Sequence, residues 1–319
     1  MRRIVLSVAL VGIAVAGVSI ALVTGSVSLT PTEVWQALLG NGSDVNRQIV
    51  QELRAPRVFA AFACGGLLAI AGTLLQVLLR NPLADPYILG ISGGASVAAL
   101  CALSLGMPAL GTNLGALLGA VLAILLIAGV SVRGGWSTDR VLLAGVVLSA
   151  GFSAIVSLFL IIAPAAQLHG MLFWLMGDLS RVISATPVLI VFIIVVVLAV
   201  LLGHLLDVLS LGEIKAASLG LNAKFAQYIV FILAAVATTA VVVAAGPIGF
   251  VGLLTPHVIR LLGVTQNRAL IALSAIAGGG FLVWADLVAR STVAPLQLPV
   301  GAVTALLGVP LLFFLLVRR

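Results

Sequence analysis

Few side chains in this sequence are placed to do chemistry. Well inside its long apolar runs the ionisable residues are Asp286, His257, His204 and Arg260, too scattered for paired-carboxylate catalysis. The histidines, His169, His204 and His257, stand far apart, and none has the HExxH spacing of a metal-ligand pair. His169 falls in a stretch read as an external loop, where a lone histidine is more often a polar surface residue than a ligand. Nucleotide hydrolysis needs a phosphate-binding loop with Gly-Lys-Ser/Thr, but Lys215 is followed by Ala216 and Lys224 by Phe225. No catalytic, cofactor or metal site is expected, so energy for any transport must come from a partner. Asp286 and Arg290 are four residues apart, a spacing that predicts a local ion pair on one helix face near the outer surface.

The elements that carry these residues must lie in lipid. Of 319 residues 62% are hydrophobic and 8% charged, against about 25% charged in a soluble domain, which leaves too little polar surface for a water-soluble globule. The net charge of +7 comes from basic residues standing singly between apolar stretches, a pattern of membrane topology rather than of nucleic-acid binding. Cys64 and Cys101 sit inside apolar runs and read as small core residues.

A helix crosses a hydrocarbon core of about 30 Å with about 20 apolar residues. Ten segments meet or approach that requirement: 4–23, 56–79, 87–105, 112–132, 141–162, 185–206, 224–245, 248–263, 269–289 and 300–317. The expected fold is an all-α polytopic membrane protein of about ten transmembrane helices, one transmembrane domain over residues 1–319. The eighth segment is the shortest and contains Pro256, His257 and Arg260, which predicts a short or partly re-entrant helix. Ten spans put both termini on one side. Arg2, Arg3, Arg80, Arg133, Arg140, Lys215, Lys224, Arg260, Arg268, Arg318 and Arg319 fall on that side, against Arg47, Arg54, Arg57, Arg181 and Arg290 on the other. Both termini are therefore expected in the cytoplasm. Gly111, Gly115 and Gly119, and the run Gly278, Gly279 and Gly280, are expected to admit close helix contacts.

Between the second and third segments runs RNPLADPYILGISGGA, Arg80 to Ala95. Its two prolines end one helix and delay the next. Six further blocks follow in order around it: LRAPR, STDRVLLAGV, SLGEIKAASLGL, GPIGFVGLLTPHVIRL, ADLVAR and LPVGAVTALLGVPLLFFLL. Together they resemble the FecCD/BtuC family, the permease subunits of type II ABC importers for iron-siderophores, haem and cobalamin. The resemblance implies a homodimer with the pathway on its two-fold axis, two cytoplasmic ABC ATPase subunits and a periplasmic substrate-binding protein, in a bacterial inner membrane.

The resemblance also implies roles. Arg54, Arg57 and Arg290 match outward arginines that receive acidic residues of the binding protein, which suits an exposed guanidinium; headgroup anchoring, or pairing of Arg290 with Asp286, is the plainer alternative. SLGEIKAASLGL matches the segment that couples to the ATPase. There Leu211, Ile214 and Leu219 form an apolar side, Glu213 and Lys215 offer polar contacts, and Gly212 and Gly220 are helix stops. Asn81, Leu83, Ser137 and Thr138 match positions that close the cytoplasmic end of the pathway, although Asn81 before Pro82 equally suits a simple helix end. Asp178 and Arg181 are expected near the pathway mouth. Iron-siderophore ranks first as cargo, with cobalamin and haem behind it, and the rival reading is an ion-coupled secondary carrier.

Overall fold

The computed structural model describes residues 2–25, 27–133, 137–293 and 296–317. Arg318 and Arg319, part of the predicted charge asymmetry, lie outside them. Among the described residues every regular element is a helix. They are α1 (Arg2–Val23), α2 (Pro31–Leu38), α3 (Asp44–Gln48), α4 (Ala55–Leu78), α5 (Ile91–Ser104), α6 (Ala109–Arg133), α7 (Thr138–Ile162), α8 (Ala165–Leu175), α9 (Thr186–Leu201), α10 (Gly203–Ser210), α11 (Glu213–Ser218), α12 (Ala223–Ala245), α13 (Val251–Leu261), α14 (Asn267–Ser291) and α15 (Val300–Val317).

Each of the ten predicted segments contains a helix, but they do not cross alike. Six stretches are long and apolar enough on their own, those in α1, α4, α6, α7, α12 and α14. The sixth predicted span is bent by 56° where α9 passes into α10. The third, eighth and tenth are shorter apolar helices, α5, α13 and α15. At 11 residues α13 rises only about 16 Å, and it is preceded by non-helical backbone over 246–250. Such backbone is tolerated at membrane depth only where protein covers it, and here Ile248 is fully buried. Its N–H donates to the Tyr87 hydroxyl (2.8 Å). The expectation of a short eighth helix is met.

α4 is the axle of the fold, buried over most of its length between α14, α12, α13 and α9. It reaches further than the sequence suggests. A π-helical turn, Ile49–Arg54, fuses it to α3, so 35 helical residues run without a break from Asp44 to Leu78. The glycines explain how the neighbours come so close. A methyl group on Gly65 would fall 2.2 Å from the Gly278 carbonyl, and one on Gly72 would fall 1.7 Å from the Gly252 carbonyl. That second carbonyl belongs to the residue four before Pro256, whose missing N–H leaves it without its usual helical donor. Gly119 meets Gly94 in the same way, whereas Gly111 meets only Met107, in the turn before its helix, and takes no part in a helix crossing. Cys101 departs from expectation too: it is exposed on α5, while Cys64 is buried.

Helix direction alternates, so the chain's two faces can be assigned. The start of α1, the end of α4, α11 and the start of α7 share the terminal face. The end of α1, the start of α4, α8 and the end of α14 share the opposite face.

Candidate functional site

On the opposite face, the start of α4, the end of α14 and the end of α1 converge on a charge cluster. Asp286 is 1% exposed. Arg57 donates to it from Nε (3.0 Å to each carboxylate oxygen) and from Nη2 (2.8 Å to Oδ1), and from Nη1 to Gln297 Oε1 (2.7 Å). Arg290 Nε lies 3.8 Å from Asp286 Oδ2, while its Nη2 donates to the Ala21 carbonyl. The expected local pair is therefore the minor half of the arrangement, and the principal partner of Asp286 comes from another helix.

Arg54 is 5% exposed, and its guanidinium is filled by the carbonyls of Leu22, Val23 and Val27. The first two are acceptors at the C-terminus of α1 and the third lies in the segment after it, a set a guanidinium satisfies well. The reading of Arg54, Arg57 and Arg290 as exposed forks is corrected here. All three are turned inward, with Arg57 and Arg290 side chains 12% and 9% exposed. Within the cluster three guanidiniums stand against one carboxylate, a local positive excess that Glu33, Asp44, Glu52 and Asp178 offset over the face as a whole.

On the terminal face, α11 stands clear of the protein. Gly212, at φ +99°, turns the chain into it, and Gly220, at φ +83°, turns the chain out. The exit is a Schellman motif: Gly220 N–H donates to the Ala217 carbonyl (2.9 Å) and Leu221 N–H to the Ala216 carbonyl (3.0 Å). Ala216 is fully buried and seats the helix. Leu211, Ile214 and Leu219 are exposed, Ile214 by 88%. So large an apolar side chain, presented on a two-glycine mount beside two more, marks an interaction surface. Glu213 and Lys215 are both exposed, and Glu213 Oε1 also accepts from Gln227 Nε2 of α12 (2.9 Å).

The proposed gate residues share the terminal face and have local tasks. Asn81 Oδ1 accepts from the Leu83 N–H (2.9 Å) and the Asn81 N–H donates to the Gln76 carbonyl (3.1 Å), a helix-ending arrangement. Ser137 caps α7 by accepting from the Arg140 N–H (3.3 Å), and Thr138 is the first residue of that helix. Among the described residues no hydrogen bond joins the two pairs within one chain. Nearer mid-membrane, a cleft of about 410 Å³ opens among Tyr87, Ser92, Met176, Phe250 and Gly301. The histidines are dispersed: His169 stacks on Phe173 (centroids 4.4 Å apart), and His204 lies exposed 4.0 Å from Asp207.

Sequence reasoning missed the polar braces that hold the short helices. Gln76 of α4 accepts at Oε1 from Arg260 Nη1 (2.8 Å) and donates from Nε2 to the Leu253 carbonyl (3.2 Å), pinning both ends of α13. A glutamine alone in a long apolar run was the available signal.

Residues 11–318 match the model of the FecCD transport family. The chain belongs to that family. Among curated FecCD relatives, it is 36% identical over 303 residues to the vitamin B12 import system permease protein BtuC of Yersinia enterocolitica, covering 94% of this chain and 88% of the relative. It is 39% identical over 303 residues to the protein of the same name from Vibrio cholerae, covering 93% and 89%. The cobalamin import system permease protein BtuC of Halobacterium salinarum is 39% identical over 280 residues, covering 85% and 74%. A solved chain of an inward-facing, metal-chelate type ABC transporter superposes with a TM-score of 0.87 at 28% identity, over 98% of this chain and 99% of that one. PsaBC from Streptococcus pneumoniae, at 18% identity and a TM-score of 0.58, shares the fold.

Proposed function

We propose that this FecCD chain is the membrane permease subunit of an ABC importer for a large metal chelate, with a corrinoid as the preferred cargo. The observation that carries the reading is the mounted apolar helix α11 in a chain that matches importer permeases almost from end to end. The iron-siderophore ranking rested on family breadth alone, and the names of the relatives move cobalamin ahead of it. On this reading the terminal face is cytoplasmic and the membrane is the bacterial inner membrane.

Each site then has a task. Leu211, Ile214 and Leu219 seat in a cleft of a separate ATPase, so that nucleotide-driven closure of two ATPases tilts the helices above them. Asn81, Leu83, Ser137 and Thr138 narrow the cytoplasmic end where two copies meet. A second copy covers α7, whose buried residues within one chain are few. The positive surplus around Arg57 and Arg290 draws an acidic substrate-binding protein to the other face, while Arg54 fixes the end of α1 beneath it. The chain itself breaks no covalent bond.

The test is affinity purification of the chain from its host, followed by thermal unfolding of its cognate binding protein. An ATPase that co-elutes, with a binding protein stabilised by cyanocobalamin and not by ferric hydroxamate, is the expected result. A chain that purifies without an ATPase and moves solute on an ion gradient refutes the importer reading. Stabilisation by ferric hydroxamate alone refutes only the cargo.

A further inference from the structure

A crevice of about 540 Å³ opens between α6 and α9, with α12 as its floor. It opens toward the opposite face, where α6 and α9 begin and α12 ends. Leu117, Val121, Val188, Val191, Val236 and Ala240 form its walls. Along α6 the lining runs from Ala109 to Ile124, about 22 Å at 1.5 Å per residue, which exceeds the roughly 15 Å depth of one leaflet's hydrocarbon.

Polar groups stand at defined depths. Arg181 lies at the mouth, half-buried, and makes no hydrogen bond or ion pair among the described residues. Neighbouring Asp178 is turned into its own loop, where Oδ1 accepts from the Ser180 N–H (2.8 Å). Below the mouth, Thr239 lines the crevice at 7% exposure with its hydroxyl unpartnered. A buried hydroxyl normally finds an acceptor, and the crevice is the open side from which one can come. Asn113 is otherwise engaged: with its amide oriented to satisfy both ends, the nitrogen donates to the Ala109 and Val243 carbonyls (3.3 and 3.2 Å).

We propose that this crevice is a binding site for one anionic phospholipid. One acyl chain lies along the wall, the phosphate meets Arg181, and an ester carbonyl accepts from Thr239. A guanidinium forks onto phosphate through charge-assisted hydrogen bonds, and the apolar wall contributes in proportion to the area it removes from water when the protein leaves the bilayer. The inference rests on the membrane-spanning fold and is independent of cargo and ATPase.

Native mass spectrometry of the detergent-solubilised full-length protein, titrated with phosphatidylglycerol or phosphatidylcholine, tests it. The expected result is one phosphatidylglycerol retained per chain at about one tenth of the concentration needed for phosphatidylcholine, whose phosphate is the same but whose choline cation is repelled by Arg181. Arg181→Gln removes that preference, and Ala240→Phe, which fills the wall, weakens retention of both lipids. Should Ala240→Phe fail to fold, the Arg181→Gln comparison stands alone. Equal retention of the two lipids by the native chain, or undiminished phosphatidylglycerol on Arg181→Gln, overturns the site. Unchanged retention by a folded Ala240→Phe protein overturns the acyl seat.

Discussion

Replacing Asp286 by Asn removes the one carboxylate in the cluster at the ends of α4 and α14 while keeping its shape. Asp286 is all but inaccessible, and Arg57 approaches it with contacts of 2.8 to 3.0 Å. Deleting one partner of a buried pair costs about 3 to 5 kcal/mol, because the other charge stays behind without compensation. Coulomb's law gives about 4 kcal/mol for unit charges about 4 Å apart at an effective dielectric of 20, the same size. For a chain this long, each kcal/mol moves the melting temperature by about 2 °C, so Asp286→Asn should lower it by about 6 to 10 °C. The assay is thermal unfolding in detergent, run also on Arg57→Gln and on the double variant. If the pair is coupled, the double variant loses clearly less than the two single losses combined. A drop below about 2 °C, or simple additivity, refutes the claim that Arg57 and Asp286 lock the two helices together.

Three further outcomes follow from the same geometry. Leu211→Asp with Ile214→Asp should release the ATPase from the purified complex without lowering the melting temperature of the permease, since both side chains are exposed; retained association removes the coupling role. Gly278→Val should abolish folded expression, because the Gly65 backbone occupies the space its side chain needs, whereas Gly129→Val, where nothing stands within 4 Å, should express normally. On α2, the Thr30 N–H and hydroxyl donate to Glu33 (2.7 Å each) and hold its carboxyl below the usual carboxylate range. A depressed value stabilises the folded form above the unfolded carboxylate's pKa, and that contribution disappears as pH falls through the folded one. Trp35 emission should therefore change on acidification below the ordinary carboxylate range, and Glu33→Gln should flatten that response.

The sequence made some features legible and hid others for physical reasons. Apolar length located all ten helical segments, since crossing lipid demands it, and Pro256 marked the short α13. The 56° bend between α9 and α10 left no proline signal; it falls at Leu202 and Gly203, in an otherwise apolar run. Local spacing suggested Asp286 with Arg290, yet the dominant partner Arg57 is 229 residues away in sequence, and no single-sequence periodicity reports such a pair. The same limit turned Arg54 outward in the reading, although its partners are backbone carbonyls at the end of α1, which have no side-chain signature. The apolar set of α11 was readable because exposed leucine and isoleucine between two glycines break the polar habit of a loop. The bond from Gln227 to Glu213 was not legible, because only the turn through Gly220 brings the two near.

The central claim is that this chain conducts and does not power transport. Uptake of radiolabelled cyanocobalamin into vesicles separates the two most directly, with the binding protein supplied on one side and the ATPase and ATP on the other. The account predicts accumulation above equilibrium only when the permease, ATPase, binding protein and ATP are all present. Uphill accumulation by the permease alone, driven by an ion gradient, contradicts it.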